Sequence, residues 1–196
     1  EESHSSDMPD EIVYHVKIWK DQIYISAHNG FFRLDTQTQK FHRINIPFAF
    51  YEHFDIDAEG NLYMVGWKNV EHPESIVYVP LAEGDSKATP TRVLATSDGV
   101  YIGTLGMGLF FYDRQTRNMA HYTSRNNQLP GDFCYNLCRT QDGKILITGD
   151  KGVTCFVPSE GTFTTIDLMR NFPSTHIING CGILVSGEGS IYIGDA

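Results

Sequence analysis

The chain reads as an all-β protein, a β-propeller built of four-stranded blades, and three observations predict that class. First, a short apolar unit recurs five times: QIYIS from Gln22, NLYMVG from Asn61, VYIGT from Val100, KILITG from Lys144 and SIYIGD from Ser190. Aligned on Ile23, Leu62, Val100, Ile145 and Ile191, the copies lie 39, 38, 45 and 46 residues apart, near the roughly 40–50 residues of one blade. Second, each unit follows a polar tight-turn segment (KDQ, AEGN, SDG, QDGK, GEGS), where Gly or Asp supplies the positive φ of a short hairpin. Third, no window holds a 3.6-residue apolar stripe longer than about two turns, so helices are expected to be minor.

The elements follow in order within each copy. The first strand is a β-rich run ahead of the turn: VYHVKIW, HFDID, RVLAT, YNLCRT and ILVS. The second is the recurring unit itself. Ile23, Tyr24 and Ile25 are apolar in succession, the signature of a strand covered on both faces, as in stacked blades. A loop leads to a third strand (FFRLD, SIVYVP, GLFFYD, GVTCFVP), and KFHRI, NMAHYT or TFTTI closes three of the copies. The second copy is irregular: a long loop is expected from Gly66 to Ser75, and its outer strand is missing or replaced. The fifth copy stops after its second strand. The expectation is a single partial propeller over 1–196, about four blades plus a half blade, with blades at 8–45, 46–82, 90–123, 129–168 and an incomplete 176–196. A compact ring whose last hairpin pairs with the N-terminal segment is the alternative.

Composition narrows the partners. The 196 residues are 41% hydrophobic, enough for a real core, and 15 basic against 24 acidic residues leave a charge of -9. That field repels phosphate backbones, so nucleic acid and anionic membrane are poor partners. No apolar run reaches the roughly 18 residues that span a bilayer, and EESHSSDMPDE is not a signal peptide. The four cysteines (Cys134, Cys138, Cys155, Cys181) are too few for a disulfide scaffold and lack zinc spacing; buried free thiols are expected, and no cofactor or metal.

The segment VYIGTLGMGLFFYDRQTRNMAHYTSRNNQLPGDFCYNLCRTQDGKILITGDKGVTCFVP resembles two consecutive two-component regulator propeller repeats. That family's strand pattern falls on Ile102, Gly103 and Thr104, then on Gly106, Gly108, Leu109, Tyr112 and Asp113. Its linker falls on Tyr122, Asn127, Leu129, Tyr135, Leu137, Asp142 and Gly143. The family's Trp before this strand motif is Tyr101 here, and the second copy matches only through its first two strands. The resemblance implies the periplasmic sensor region of a Bacteroides-type hybrid two-component system, which carries histidine kinase and response-regulator domains elsewhere and detects oligosaccharides. It also implies the partners: an oligosaccharide, the remainder of the sensor, and a second copy in the full-length receptor.

Other motifs have plain readings. Asp55, Asp57 and Glu59 imitate a calcium loop, but the twelfth position is Gly66, so a hairpin turn is expected. GTLGMG enters a strand rather than a helix and offers no anion site. The eight histidines show no HxH or HExxH spacing, and Ser186-Gly187-Glu188-Gly189 only approximates a nucleophile elbow. A propeller lyase or hydrolase is therefore a minor alternative, and a non-catalytic scaffold for dimerisation or docking is the main one.

The loops joining second to third strands, and blade to blade, gather on one face of a propeller. They bring forward Trp67, Tyr51, His28, Lys68, His72, Arg125, Asp150 and Lys151 as ligand-binding candidates, with Asn29, Asn126 and Arg170 beside them. Aromatic plates pack on the C–H faces of sugar rings while charged and amide groups pair with hydroxyls. Trp67, on the longest loop, leads the set: Trp67→Ala is expected to abolish glycan binding by calorimetry while leaving the melting curve near normal, and unchanged affinity would remove Trp67 from the site.

Overall fold

The computed structural model describes residues 9, 12–45, 53–65, 70–71, 89–126, 128–166, 177 and 182–194. Residue contacts divide the chain into two compact units, 1–80 and 81–196.

The first unit holds two sheets. β1 (Val13–Trp19), β2 (Gln22–Ala27), β3 (Gly30–Asp35) and β4 (Lys40–Ile44) form a four-stranded antiparallel meander in chain order. Lys20 and Asp21 both take positive φ in the two-residue β1–β2 turn, the primed geometry that matches strand twist. The second sheet is β5 (His53–Ile56), β6 (Leu62–Val65) and the short β7 (Val70–Glu71). The sequence-predicted loop 66–75 is thus interrupted: β7 pairs with β6 through Met64↔Glu71 and Val65↔Val70, because the outer edge of β6 needs hydrogen-bond partners. The third strand predicted at SIVYVP lies outside the described residues. Between the sheets, Phe31 packs with Phe54, Ile56, Leu62 and Met64, and Trp19, Tyr24 and Ile44 pack against that cluster.

The second unit holds two complete four-stranded sheets and a hairpin. β8 (Pro90–Ala95), β9 (Gly99–Thr104), β10 (Leu109–Asp113) and β11 (Met119–Tyr122) form one sheet. β12 (Cys134–Arg139), β13 (Ile145–Gly149), β14 (Gly152–Val157) and β15 (Thr162–Ile166) form the other, and β16 (Ile183–Val185) pairs with β17 (Ile191–Ile193). Every residue of β9 and β13 is buried, so the expectation of second strands covered on both faces holds for these two, whereas β2 is half-buried at Ile23 and Tyr24 and β17 is largely exposed. The cluster between the two complete sheets joins Tyr101, Leu109, Leu137, Ile145, Ile147 and Phe156. Among the described residues the helical content is a single 3-10 turn at Ser124–Asn126.

The positions that carried the family resemblance have physical work in this unit. Thr104 lends its hydroxyl to Gly108 O at 2.7 Å. Asp113 accepts the backbone N–H groups of Gln115 and Thr116 at 2.8 and 3.0 Å, closing the β10–β11 turn; Asp35 does the same for Gln37 and Thr38 after β3. These bonds hold both carboxyls below the usual range. Leu129, from the linker, is buried in the inter-sheet cluster, and Tyr122 packs against it. Three first strands carry a register shift at equivalent places, Val13/His15, Pro90/Arg92 and Cys134/Asn136; such bulges increase the local twist.

Cys134 is buried and Cys138 and Cys155 half-buried, all three as free thiols; burial pushes Cys134 up to about 12, which keeps it protonated and inert.

Gly108 sits at φ +77°, and a Cβ there would run into the carbonyl oxygen of Tyr122. Gly108→Ala therefore meets both a left-handed backbone and a backbone collision, and should destabilise the chain by about 2–3 kcal/mol, read as a lowered denaturation midpoint in urea.

Candidate functional site

The loop face of the second unit is built around Asp132. Its carboxylate accepts Ser124 N and Ser124 Oγ, each at 2.7 Å, and its main-chain oxygen accepts Gly106 N at 3.0 Å and Gly108 N at 2.8 Å. One residue thus ties the 3-10 turn of the blade-to-blade linker to the β9–β10 loop. Met107 in that loop is held from two sides: its N–H donates to Thr104 Oγ1 at 3.2 Å, and His121 Nε2 donates to its carbonyl at 2.6 Å. Leu105 and Phe133 form an isolated antiparallel bridge. The loops are therefore organised before any ligand arrives, which lowers the ordering cost of binding.

Phe133 projects from this frame, 44% exposed, over Gly106, where a Cβ would touch its ring at 3.6 Å. Tyr135 lies beside it, with ring centroids 6.4 Å apart. Asp150 and Lys151 occupy the β13–β14 turn and form an ion pair at 3.6 Å. Gly131 makes room for them, since a Cβ there would collide with the Asp150 carboxylate. Leu129, Phe133, Asp150, Lys151 and Thr154 line one dimple of about 10 Å³, room for roughly one water. The surface is an exposed aromatic platform with a charged rim.

The structure thus brings Asp150 and Lys151 together and places Arg125 on the 3-10 turn held by Asp132. Tyr51, Trp67, Lys68 and His72 lie outside the described residues. His28, in the first unit, occupies the β2–β3 turn. Its Nδ1 is hydrogen-bonded to the Tyr14 hydroxyl at 3.0 Å, and Arg43 Nη2 donates to Asn29 O at 2.8 Å next door.

Phe133 and Tyr135 are not among the sequence-predicted candidates: Tyr135 heads the run YNLCRT read as a first strand, and Phe133 lies just ahead of it. The signal was the bulge: a register shift between Cys134 and Asn136 breaks the strand's alternation where Tyr135 sits. Also missed was a polar row on the first strands. The His15 and His53 rings lie 3.9 Å apart, Lys17 pairs with Asp55 at 2.7 Å, and in the second unit Arg92 Nε donates to Asn136 Oδ1 at 2.6 Å. The calcium-like segment resolves into structure. Asp55 goes to Lys17, while the Asp57 carboxylate accepts Gly60 N, Asn61 N, Asn61 Nδ2 and the Tyr63 hydroxyl within its own turn. No group of three or more metal-ligating side chains occurs among the described residues.

A larger groove of about 440 Å³ lies at the other end of β13. The turn residues Thr140, Gln141, Asp142 and Lys144 rim it, and Leu146, Cys155, Ile166, Val185 and Ile191 floor it. Its size falls in the range of small-molecule sites, roughly 300–1,000 Å³, yet none of the sequence-predicted site residues lines it. Lys144 and the Thr140 hydroxyl hold Asp142 down at about 2, and Asp142 in turn raises Lys144, so the rim carries a fixed ion pair at neutral pH.

No family model matches the chain, and no curated protein matches it. Solved structures do. The extracellular domain of the putative hybrid two component system BT3049 from B. thetaiotaomicron matches with a TM-score of 0.74 at 22% identity, over 93% of this chain and 26% of that one. The extracellular domain of the putative one component system BT4673 from the same organism matches with a TM-score of 0.73 at 18% identity, over 99% and 27%. A second structure of the BT4673 domain, described as a putative hybrid two component system, gives 0.72 at 19% identity. The chain spans about a quarter of the length of these domains. Its fold is that of part of a β-propeller, and the likeness to sensor ectodomains read from the repeat residues holds at the level of fold. No helix among the described residues is long and apolar enough to cross a membrane.

Asp132→Ala removes both acceptors of Ser124 and should loosen the loop face. The expected outcome is a loss of about 2 kcal/mol in chemical denaturation, with faster hydrogen exchange at Ser124.

Proposed function

We propose that this chain is a ligand-sensing module of an extracellular, periplasmic sensor of the hybrid two-component kind, with an oligosaccharide as its ligand and a histidine kinase as its downstream output. The observation that carries the reading is the exposed Phe133 platform beside the Asp150–Lys151 pair, on loops braced by Asp132. A sugar ring presents a C–H face that packs on an aromatic ring and hydroxyls that pair with charged groups at the edge. The open platform suits an extended chain of sugars better than a small enclosed metabolite. Arg125, on the braced 3-10 turn, adds a charged group to the same loops, while Trp67, Tyr51, Lys68, His72 and His28 are candidates for the same chemistry within the first unit. The fold likeness to extracellular domains of two-component sensors supports the sensing role. The module works by binding, with no chemical step of its own.

A thermal-shift screen against plant and host oligosaccharides tests the reading. A ligand at 100 times its Kd adds about 2.7 kcal/mol and raises Tm visibly. Phe133→Ala is expected to weaken that ligand at least about tenfold, a loss of about 1.4 kcal/mol, while leaving the unliganded Tm nearly unchanged. A flat screen, or a hit indifferent to Phe133, would count against this site.

A further inference from the structure

One position at the head of the first strands recurs as a contact between neighbouring sheets. Val16 lies opposite Ile25, Phe54 opposite Met64, Val93 opposite Ile102 and Leu137 opposite Ile147. The residues just before them, His15, His53, Arg92 and Asn136, are therefore equivalent. In the second unit the position carries Arg92 and Asn136, joined from Nε to Oδ1 at 2.6 Å. In the first it carries two imidazoles, with the His15 and His53 rings 3.9 Å apart and tilted by 39°. A guanidinium and an amide keep their charge states across the physiological range, whereas an imidazole gains a proton between about pH 5 and 8.

Both imidazoles are half-buried, so water screens them incompletely. Phe54, fully buried, meets the His15 ring edge-on with centroids 5.0 Å apart. Among the described residues the charged groups beside the pair are Lys17 on β1 and Asp55 on β5, and these neutralise each other at 2.7 Å. From β2, the Ser26 hydroxyl donates to His15 O at 3.5 Å and Tyr24 lies opposite Lys17; from β6, Val65 lies opposite His53. His28, in the β2–β3 turn, is bonded to the Tyr14 hydroxyl. Two positive rings in contact repel each other, so the pair accepts one proton and resists the second.

We propose that the His15–His53 pair is a pH-sensitive latch between the first two sheets, closed at neutral pH and weakened by acid, while the equivalent Arg92–Asn136 contact of the second unit keeps its strength. Proton uptake sets the direction. As pH falls through the ordinary imidazole value of about 6.5, the unfolded chain takes a proton at both histidines and the folded unit at only one. Unfolding then binds the additional proton, so stability is present above that value and lost below it. None of these residues lies on the Phe133 platform, so the latch stands or falls independently of ligand binding.

Both tryptophans of the chain, Trp19 and Trp67, fall in the first unit, so urea denaturation followed by tryptophan fluorescence reads that unit. Between pH 7.5 and pH 5.5 the unfolding constant of the parent should rise about tenfold, the ratio expected when one imidazole is barred from its proton. His53→Asn, which places the residue of the second unit at this position, should remove that rise, and so should His15→Arg combined with His53→Asn. A parent whose midpoint does not move overturns the proposal, as does a rise that persists at full size in both variants. The imidazole proton resonances of the parent, followed through the same range, read the pair without any substitution. Two protonation steps separated by more than about one pH unit are expected for His15 and His53; two rings that titrate together as independent sites overturn the latch.

Discussion

The constraint on which the rest depends is the burial of the second strands on both faces. β9 and β13 expose no residue to solvent, and a sheet with such strands at its middle is stable only when another sheet lies against it. Apolar side chains on both sides of Ile102 and Ile147 make stacking compulsory. The inter-sheet cluster of the second unit and the Phe31–Phe54–Met64 cluster of the first are two instances of that requirement. Strand lengths, turn chemistry and the placement of small residues all serve it.

Stacking in turn determines where polar chemistry can go. Side chains on the middle strands are committed to packing, so charged and aromatic groups with free surface collect on first strands and on connecting loops. The first strands join neighbouring sheets through short polar contacts, Lys17 with Asp55 and Arg92 with Asn136, next to bulges that re-aim one side chain per strand. The loops are held by a few residues with several hydrogen bonds each. Asp132 braces two connections at once, and Asp57 closes its own turn with four acceptor bonds. A surface supported in this way keeps its shape without contributing apolar burial, which is what a recognition platform needs.

The same logic accounts for what was readable in advance. The repeat, the turn segments and the doubly covered strands follow from local composition and period, and the structure returns strands where each described unit was read. The short β7 strand was not readable: a two-residue strand carries no period, and only the unpaired edge of β6 calls it into being. Asp150 and Lys151 were legible because a turn between two apolar strands has only one side facing water. Phe133 was not, since an aromatic at the head of a strand looks like core until Gly106 and the Leu105 bridge show it lying over a loop.

The sequence by itself determined the all-β class, the blade-like unit and the acidic surface, because strand period, turn chemistry and net charge are local or additive properties of the residues. The tertiary structure alone decided which loops meet, that Phe133 stands exposed, and that a groove lies at the end of β13 away from the predicted loops. Those outcomes depend on contacts between residues apart in the chain, such as Ser124 with Asp132 and Leu105 with Phe133. Long-range contacts of this kind are set by how sheets stack, and stacking leaves no periodic trace in the sequence of any one loop.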